Sequence, residues 1–326
     1  RDESLRLVGS EMCIRDRINI LGLSLSMAVC MLILVVIQDQ YSYDKMHTKG
    51  DRIYRVQQTD SLDFTTLKIA SNPYPLGIEL RDNYAIAEQI VILNEDFYGE
   101  GVYQETRISL NGLYTNSAFF EVFDFQLEAG SPEAILDDPY TMVLSRETAD
   151  KFFGDEDPLG KFIEIDSLGA YEVKGIISKT KSKSHIQFEA LISLPTLEIL
   201  DQRRAEPKFV DNWETGWGSW IYLLLDEDAD LAGIQQILDR ISTDKYRGLD
   251  ETNYSFYLQP FRKIVPGPLL GNEIGMYLPK VFLLFLGGLA LVIIISAAFN
   301  YTSLSVARSM LRAREVAVSY THLTLP

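Results

Sequence analysis

Two stretches of this chain carry no charged residue and are long enough to cross a bilayer, and they constrain its fold more than any other feature. Ile18–Ile37 (INILGLSLSMAVCMLILVVI) has 20 residues and Val281–Phe299 (VFLLFLGGLALVIIISAAF) has 19. At about 1.5 Å per helical residue each covers roughly 30 Å, the thickness of a hydrocarbon core. A cleaved signal peptide does not fit the first run, which exceeds the usual ~7–15 apolar residues and is followed by no small-residue cleavage site. Lipid attachment at Cys30 does not fit either, because seven more apolar residues follow it. Both runs are read as transmembrane helices, 18–37 and 281–299, with residues 38–280 between them.

Basic residues near the helix ends set the orientation. Arg308, Arg312 and Arg314 follow the second span, and Arg15 and Arg17 precede the first. Both ends are therefore expected on the cytoplasmic side and 38–280 outside. Small residues thin both spans. Gly22 with Ser26, and Gly287 with Gly288 and Ala290, form notches of the kind that let helices approach closely in lipid.

The formal charge of −16 is unevenly placed. Residues 1–17 are neutral, the spans are bare and the tail from 300 carries +2, which leaves −18 for residues 38–280. Such a domain repels phosphate backbones, so nucleic acid is excluded as a partner. The only cysteines are Cys13 and Cys30, so 38–280 must fold by core burial, with neither disulfides nor a zinc–thiolate site.

Within 38–280, Arg52–Gln58, Pro75–Asn83 and Gln89–Leu93 read as strand, helix and strand. Trp220–Leu225, Asp230–Ile241 and Tyr254–Leu258 repeat that order, the helix with an apolar face of Leu231, Ile234, Ile237, Leu238 and Ile241. Two such units predict a small sheet with helices on one side. Between them, Arg107–Leu110, Thr141–Leu144, Phe162–Ile165 and Tyr171–Ile177 read as strands, with turns at Asn111-Gly112, Asp157-Pro158 and Leu168-Gly169. The expectation is an α+β part over about 51–100 and 206–262, with a mainly β part inserted over about 101–205.

No motif in the chain carries enzyme chemistry. Gly154–Phe162 (GDEDPLGKF) has one residue too many for a phosphate loop, and Phe162 stands where a magnesium-binding hydroxyl is needed. His47, His185 and His322 are far apart and form no metal motif, and Ser145 and Ser219 have no Gly-x-Ser-x-Gly setting. No cofactor or metal is expected. Trp213, Trp217 and Trp220 are read as one or two core anchors at the entry to a strand, and Lys179, Lys181 and Lys183 as a solvated loop.

Longer stretches carry a resemblance. INILGLSLSMA at 18–28 and SYDKMHTKGDRIYRV at 42–56 are similar to the start of FtsX/MacB-type ABC transporter permeases. LSRETADKFFGDEDPLGK at 144–161, YEVKGII at 171–177 and SHIQFEALISL at 184–194 resemble the family's periplasmic core domain. FNYTSLSVARSMLRAREVAV at 299–318 resembles the end of its second helix and the approach to a cytoplasmic coupling element. The resemblance implies a permease subunit with one helix, a large periplasmic domain of porter-like α+β and inserted β parts, then three more helices. It also implies a bacterial inner-membrane location and ATP hydrolysis on a separate ABC ATPase subunit in the cytoplasm. Further partners would be a second permease copy or half, membrane lipid and a periplasmic protein. Residues 300–318 would begin the coupling region, with Arg308, Arg312, Arg314 and Glu315 as its charged contacts. Arg1–Arg17 and Ser319–Pro326 do not suit their surroundings and resemble translated adapter, so the chain is expected to be a piece of a longer protein. The other reading is a two-helix membrane sensor whose exported domain binds a ligand.

Overall fold

The computed structural model describes residues 2–62, 65–180, 182–247 and 252–323. Along the chain run α1 (Asp2–Gln40), β1 (Ile53–Leu62), β2 (Thr65–Ile69), α2 (Tyr74–Asn83), β3 (Gln89–Tyr103) and β4 (Thr106–Thr115). Then come α3 (Ala118–Val122), β5 (Leu127–Ala129), β6 (Thr141–Ser145), α4 (Arg146–Phe153), β7 (Phe162–Ile165), β8 (Gly169–Ile177) and β9 (Ala190–Ser193). The last elements are α5 (Leu194–Gln202), β10 (Ser219–Leu224), α6 (Leu231–Lys245), β11 (Thr252–Pro260) and α7 (Lys280–Leu323). The chain divides into two compact units, one of 1–41 with 278–326 and the other of 42–277.

In the first unit, α1 and α7 contain the two apolar runs. Segments Arg17–Gln40 and Lys280–Met310 are each long and apolar enough to cross a membrane, and only 11% of each apolar window is buried inside the protein. Helices this apolar and this uncovered must find their apolar surroundings elsewhere, which distinguishes them from the core helices of a soluble fold. They meet through Cys30, Ile33 and Ala290, flanked by Ile37, Leu286 and Ile293.

The second unit is built on one eleven-stranded sheet rather than a small one. Its order is β11-β1-β10-β3-β4-β9-β6-β8-β5, with β2 added to β1 and β7 bridging β3 and β8. Strands β11, β1 and β10 belong to stretches assigned to the α+β part, and β4 to β9 to stretches assigned to the inserted part. The long strand β3 spans both, pairing Gln89–Asn94 with β10 and its second half with β4 across a bulge between Asn94 and Phe97.

Both faces of the sheet are covered, where helices on one side alone were expected. Ile90, Ile92, Ile221 and Leu223 point into a core closed by Leu76 and Leu80 of α2 and Ile234, Leu238 and Ile241 of α6. Val91, Leu93, Trp220, Tyr222 and Leu224 point into a second core with Phe119, Val122, Phe123, Phe125 and Phe261. Every residue of β10 is buried, so its unbroken apolar run is that of a strand covered on two sides. Asp230 caps α6 by accepting from the Ala232 amide, and Leu231, assigned to the apolar face, is 41% exposed.

The Asn111-Gly112 turn is not formed. Both residues lie inside β4, and a Cβ on Gly112 would sit 2.3 Å from Ile192 Cδ1. That glycine is there for close packing, and the chain reverses instead at Gln104, which adopts φ +53°.

Candidate functional site

The second unit begins and ends in loops, and its polar residues explain how those loops are held. Asp44 lies in the turn after α1, with φ +57°, a conformation that aspartate tolerates better than most residues. Its amide donates to the Lys183 carbonyl at 2.8 Å. Its carboxylate accepts from Ser184 Oγ at 2.7 Å, from the His185 amide at 3.1 Å and from His185 Nδ1 at 2.7 Å. Burial alone would raise the Asp44 carboxyl; the charge of His185 and these hydrogen bonds outweigh it and hold the pKa below the usual value. His185 Nε2 then meets the Tyr222 hydroxyl at 2.9 Å.

Tyr222 is the direct cross-strand neighbour of Arg55, on adjacent strands β10 and β1. Arg55 is wholly buried. Its guanidinium donates to both carboxylate oxygens of Glu273, at 2.5 and 3.1 Å, and to Gln259 Oε1 at 2.7 Å from Nη2 and 3.2 Å from Nε. This fork on a carboxylate is the strong form of ion pair, and at full burial it is also the form that tolerates no missing partner. Glu273 lies seven residues before Lys280, the first residue of α7. A path of buried polar contacts therefore runs from Asp44, near one end of the domain's sequence, through His185, Tyr222 and Arg55 to Glu273, near the other.

A second set of contacts locks the entry turn. Arg262 donates to the carbonyls of Asp44, at 2.8 Å, and His47, at 2.7 Å. Gly50 makes room for it, since a Cβ there would lie 2.5 Å from the guanidinium carbon. His47 Nδ1 accepts from the Asp124 amide at 3.1 Å, and its ring lies edge-on to Phe123, Phe125 and Phe261. Burial pushes the imidazole down to about 4, with the Asp44 charge opposing, so His47 is neutral near pH 7. Among the described residues no group of three or more His, Cys, Asp or Glu could hold a metal ion. What it can do is fix positions.

The residues singled out in the spans are placed differently. Arg308 and Arg312 line a groove of about 440 Å³ between α7 and the Asn19, Ile20 and Leu23 positions of α1, on the same stripe as Leu304. The side chains of Arg314 and Glu315 lie outside the described residues. Ser26 Oγ donates to the Gly22 carbonyl along α1, and a Cβ at Gly22, Gly287 or Gly288 would meet nothing within 4 Å. Of the small residues, it is Ala290 that lies at the α1–α7 contact, with Cys30 Sγ 3.7 Å from its carbonyl. The other residues of interest have structural settings. Ser145 caps α4, Ser219 bonds Asn94, Trp220 is a core anchor bonded to the Asn272 carbonyl, and GDEDPLGKF is a turn between α4 and β7.

Sequence reasoning missed the buried path. Asp44, His47, Ser184 and His185 lie in the two motifs SYDKMHTKGDRIYRV and SHIQFEALISL, and that shared membership was the one available signal. Arg55 lies in the first motif too, but a charged residue in an alternating strand is expected to face water, and Tyr222 and Glu273 lie in neither motif.

Two apolar helices bracketing a two-faced mixed sheet, with a polar path joining its ends, define a membrane protein with one large extramembrane domain. The MacB-like periplasmic core domain matches residues 18–241, and the chain belongs to that family, among the FtsX/MacB-type ABC transporter permeases. No curated protein matches the chain. In fold it is similar to a domain of a candidate permease protein from Porphyromonas gingivalis, with TM-score 0.57 and 16% identity over 74% of this chain and 99% of that one. The periplasmic region of MacB from Actinobacillus actinomycetemcomitans aligns with TM-score 0.44 and 13% identity, over 66% of this chain and 91% of that one. The extracellular domain of the noncanonic ABC-type transporter YknZ from Gram-positive bacteria aligns with TM-score 0.44 and 14% identity, over 64% and 99%.

Proposed function

We propose that the chain is the amino-terminal part of a permease subunit in the bacterial inner membrane, with residues 42–277 in the periplasm. It converts movement driven by ATP hydrolysis on a separate cytoplasmic ATPase subunit into movement of the periplasmic domain, for export or mechanical signalling. The observation that most supports this reading is the buried path from Asp44 to Glu273. A loop attachment absorbs displacement, whereas desolvated, hydrogen-bonded side chains pass it to the adjacent strands β1 and β10. On the cytoplasmic side, Arg308, Arg312, Arg314 and Glu315 contact the ATPase. The notches at Gly22, Ser26, Gly287 and Gly288 receive helices of the rest of the permease or of a second copy. The two-helix sensor has no comparable support.

The test uses the full-length permease with its ATPase in lipid. Arg312→Glu with Arg314→Glu should leave insertion intact and weaken co-purification of the ATPase, since wrong-sign charges at an interface are costly. Glu273→Gln should leave ATP hydrolysis running while reducing the ATP-dependent change in a spin-label distance measured across the periplasmic domain. Unchanged co-purification would reduce the arginines to topology anchors, and an unchanged distance response would remove the path from the coupling mechanism.

A further inference from the structure

The lysine loop after β8 is not simply solvated. Its Lys183 carbonyl is held by the Asp44 amide, Ser184 and His185 are bound by the Asp44 carboxylate, and Thr180 Oγ1 lies 3.7 Å from Met46 Sδ. The loop is therefore fastened to the chain immediately after α1. Between this loop, the start of α4 and Tyr43 lies a cleft of about 460 Å³. Its floor is apolar, with Phe125 and Phe188, and its rim carries Arg146, Lys179 and Lys183 against the single acid Glu147. The Lys183 ammonium lies 5.7 Å from the centre of the Tyr43 ring, Lys179 pairs with Glu147 at 2.7 Å, and Arg146 pairs with Glu128 at 2.5 Å.

Charge and position together select the ligand. Residues 41–50 and 178–185 contain five lysines and one aspartate, and that aspartate is engaged inside the domain. This is a local reversal of sign in a domain of net −18. Tyr43, a wall of the cleft, is three residues beyond Gln40, so the chain cannot carry it more than about 11 Å from the end of α1. The chain just before α7 also packs against His185. A Cβ on Gly275, five residues before α7, would fall 2.1 Å from the His185 carbonyl, and the next residue, Met276, is 89% exposed. A basic rim over an aromatic floor, three residues from the end of a membrane span, matches a phosphate group carried on an apolar body.

We propose that this cleft binds the head group of an anionic phospholipid of the outer leaflet, seating the foot of the periplasmic domain on the membrane. The proposal rests on the membrane topology given above and not on coupling to an ATPase. A free phosphate shares the charge but has no use for the Phe125 and Phe188 floor.

The test is hydrogen–deuterium exchange of the full chain in nanodiscs of phosphatidylcholine, of phosphatidylcholine with increasing phosphatidylglycerol, and of phosphatidylcholine with added inorganic phosphate. Phosphatidylglycerol should slow exchange in 177–188 and 43–46, with inorganic phosphate having no such effect. Lys183→Gln should weaken the response to phosphatidylglycerol by about fivefold, and Lys179→Gln with Lys183→Gln further. Lys183→Arg should retain it, and unaltered exchange in β10 confirms that each variant is folded. Equal exchange in all discs, a response that survives the double change, or equal protection by inorganic phosphate would each overturn a lipid site. A phosphatidylglycerol response in a chain whose domain proves cytoplasmic would overturn the topology and leave the cleft's ligand standing.

Discussion

The Asp44 carboxylate and the His185 imidazole, 141 residues apart in the chain, meet at 2.7 Å inside the second unit. Neither belongs to a strand or helix. Their contact, with the Ser184 hydroxyl on the same carboxylate, turns two loops into one fixed corner.

A fragment of residues 42–277 should therefore melt cooperatively as a soluble monomer, whereas 45–275 should not match it. The shorter piece lacks Asp44 and strands a buried histidine, a loss on the order of 3–5 kcal/mol for breaking such a pair. Thermal melts followed by circular dichroism would compare them; equal midpoints would remove Asp44 from the stability of the domain.

The buried His47 makes stability pH-dependent in a defined window. Its folded pKa is about 4 against an ordinary 6.5, so between those values the unfolded chain takes up a proton that the folded domain refuses. Stability should be complete above about pH 6.5 and fall as the pH drops towards 4, by about 3 kcal/mol at ~1.4 kcal/mol per unit. Asp44 acts lower down: its depressed carboxyl contributes stability above its ordinary 3.8, lost as the pH falls through the folded value. Urea midpoints at pH 7 and pH 5 should differ, and the difference should shrink in His47→Gln.

Arg55 and Glu273 should behave as a unit. Arg55→Met alone leaves Glu273 without its fork, and Glu273→Gln alone leaves a wholly buried guanidinium short of charge. Each single change should cost about 3–5 kcal/mol and the pair markedly less than their sum. A double-mutant cycle from denaturant unfolding measures the coupling, and additive losses would mean that the two side chains are stabilised separately.

Gly50→Ala should displace Arg262, because the new methyl would lie 2.5 Å from the guanidinium carbon. Losing the bonds to the Asp44 and His47 carbonyls should cost about 1–3 kcal/mol, and adding Arg262→Ala should then cost little more. Full additivity of the two changes, read from melting temperatures, would show that the glycine serves another purpose.

Strands and helices were legible where one physical signal dominated. The bare apolar runs, the buried runs of β3 and β10, and the 3.6-residue period of α6 each announce an element. Asn111-Gly112 misled because the pair favours turns in isolation, while packing against Ile192 and Phe97 decides its place here. The true reversal at Gln104 uses a non-glycine in a left-handed conformation, which no composition rule flags. Of the small residues, periodicity shows which side of a helix is thin but not which side has a neighbour, so Ala290 and Gly288 looked alike. The polar path was hidden for a different reason: its contacts join residues far apart in the chain, on strands and loops alike, and a single sequence holds no pattern that pairs Asp44 with His185 or Arg55 with Glu273.

Asp44 and Gly275 lie against the same histidine, so the first and last turns of the domain are neighbours. A body of 236 residues that starts and stops at one place can be spliced into a short turn between two helices without prising them apart. It could be acquired, traded or resized as a cassette in evolution, leaving the membrane-embedded scaffold unchanged.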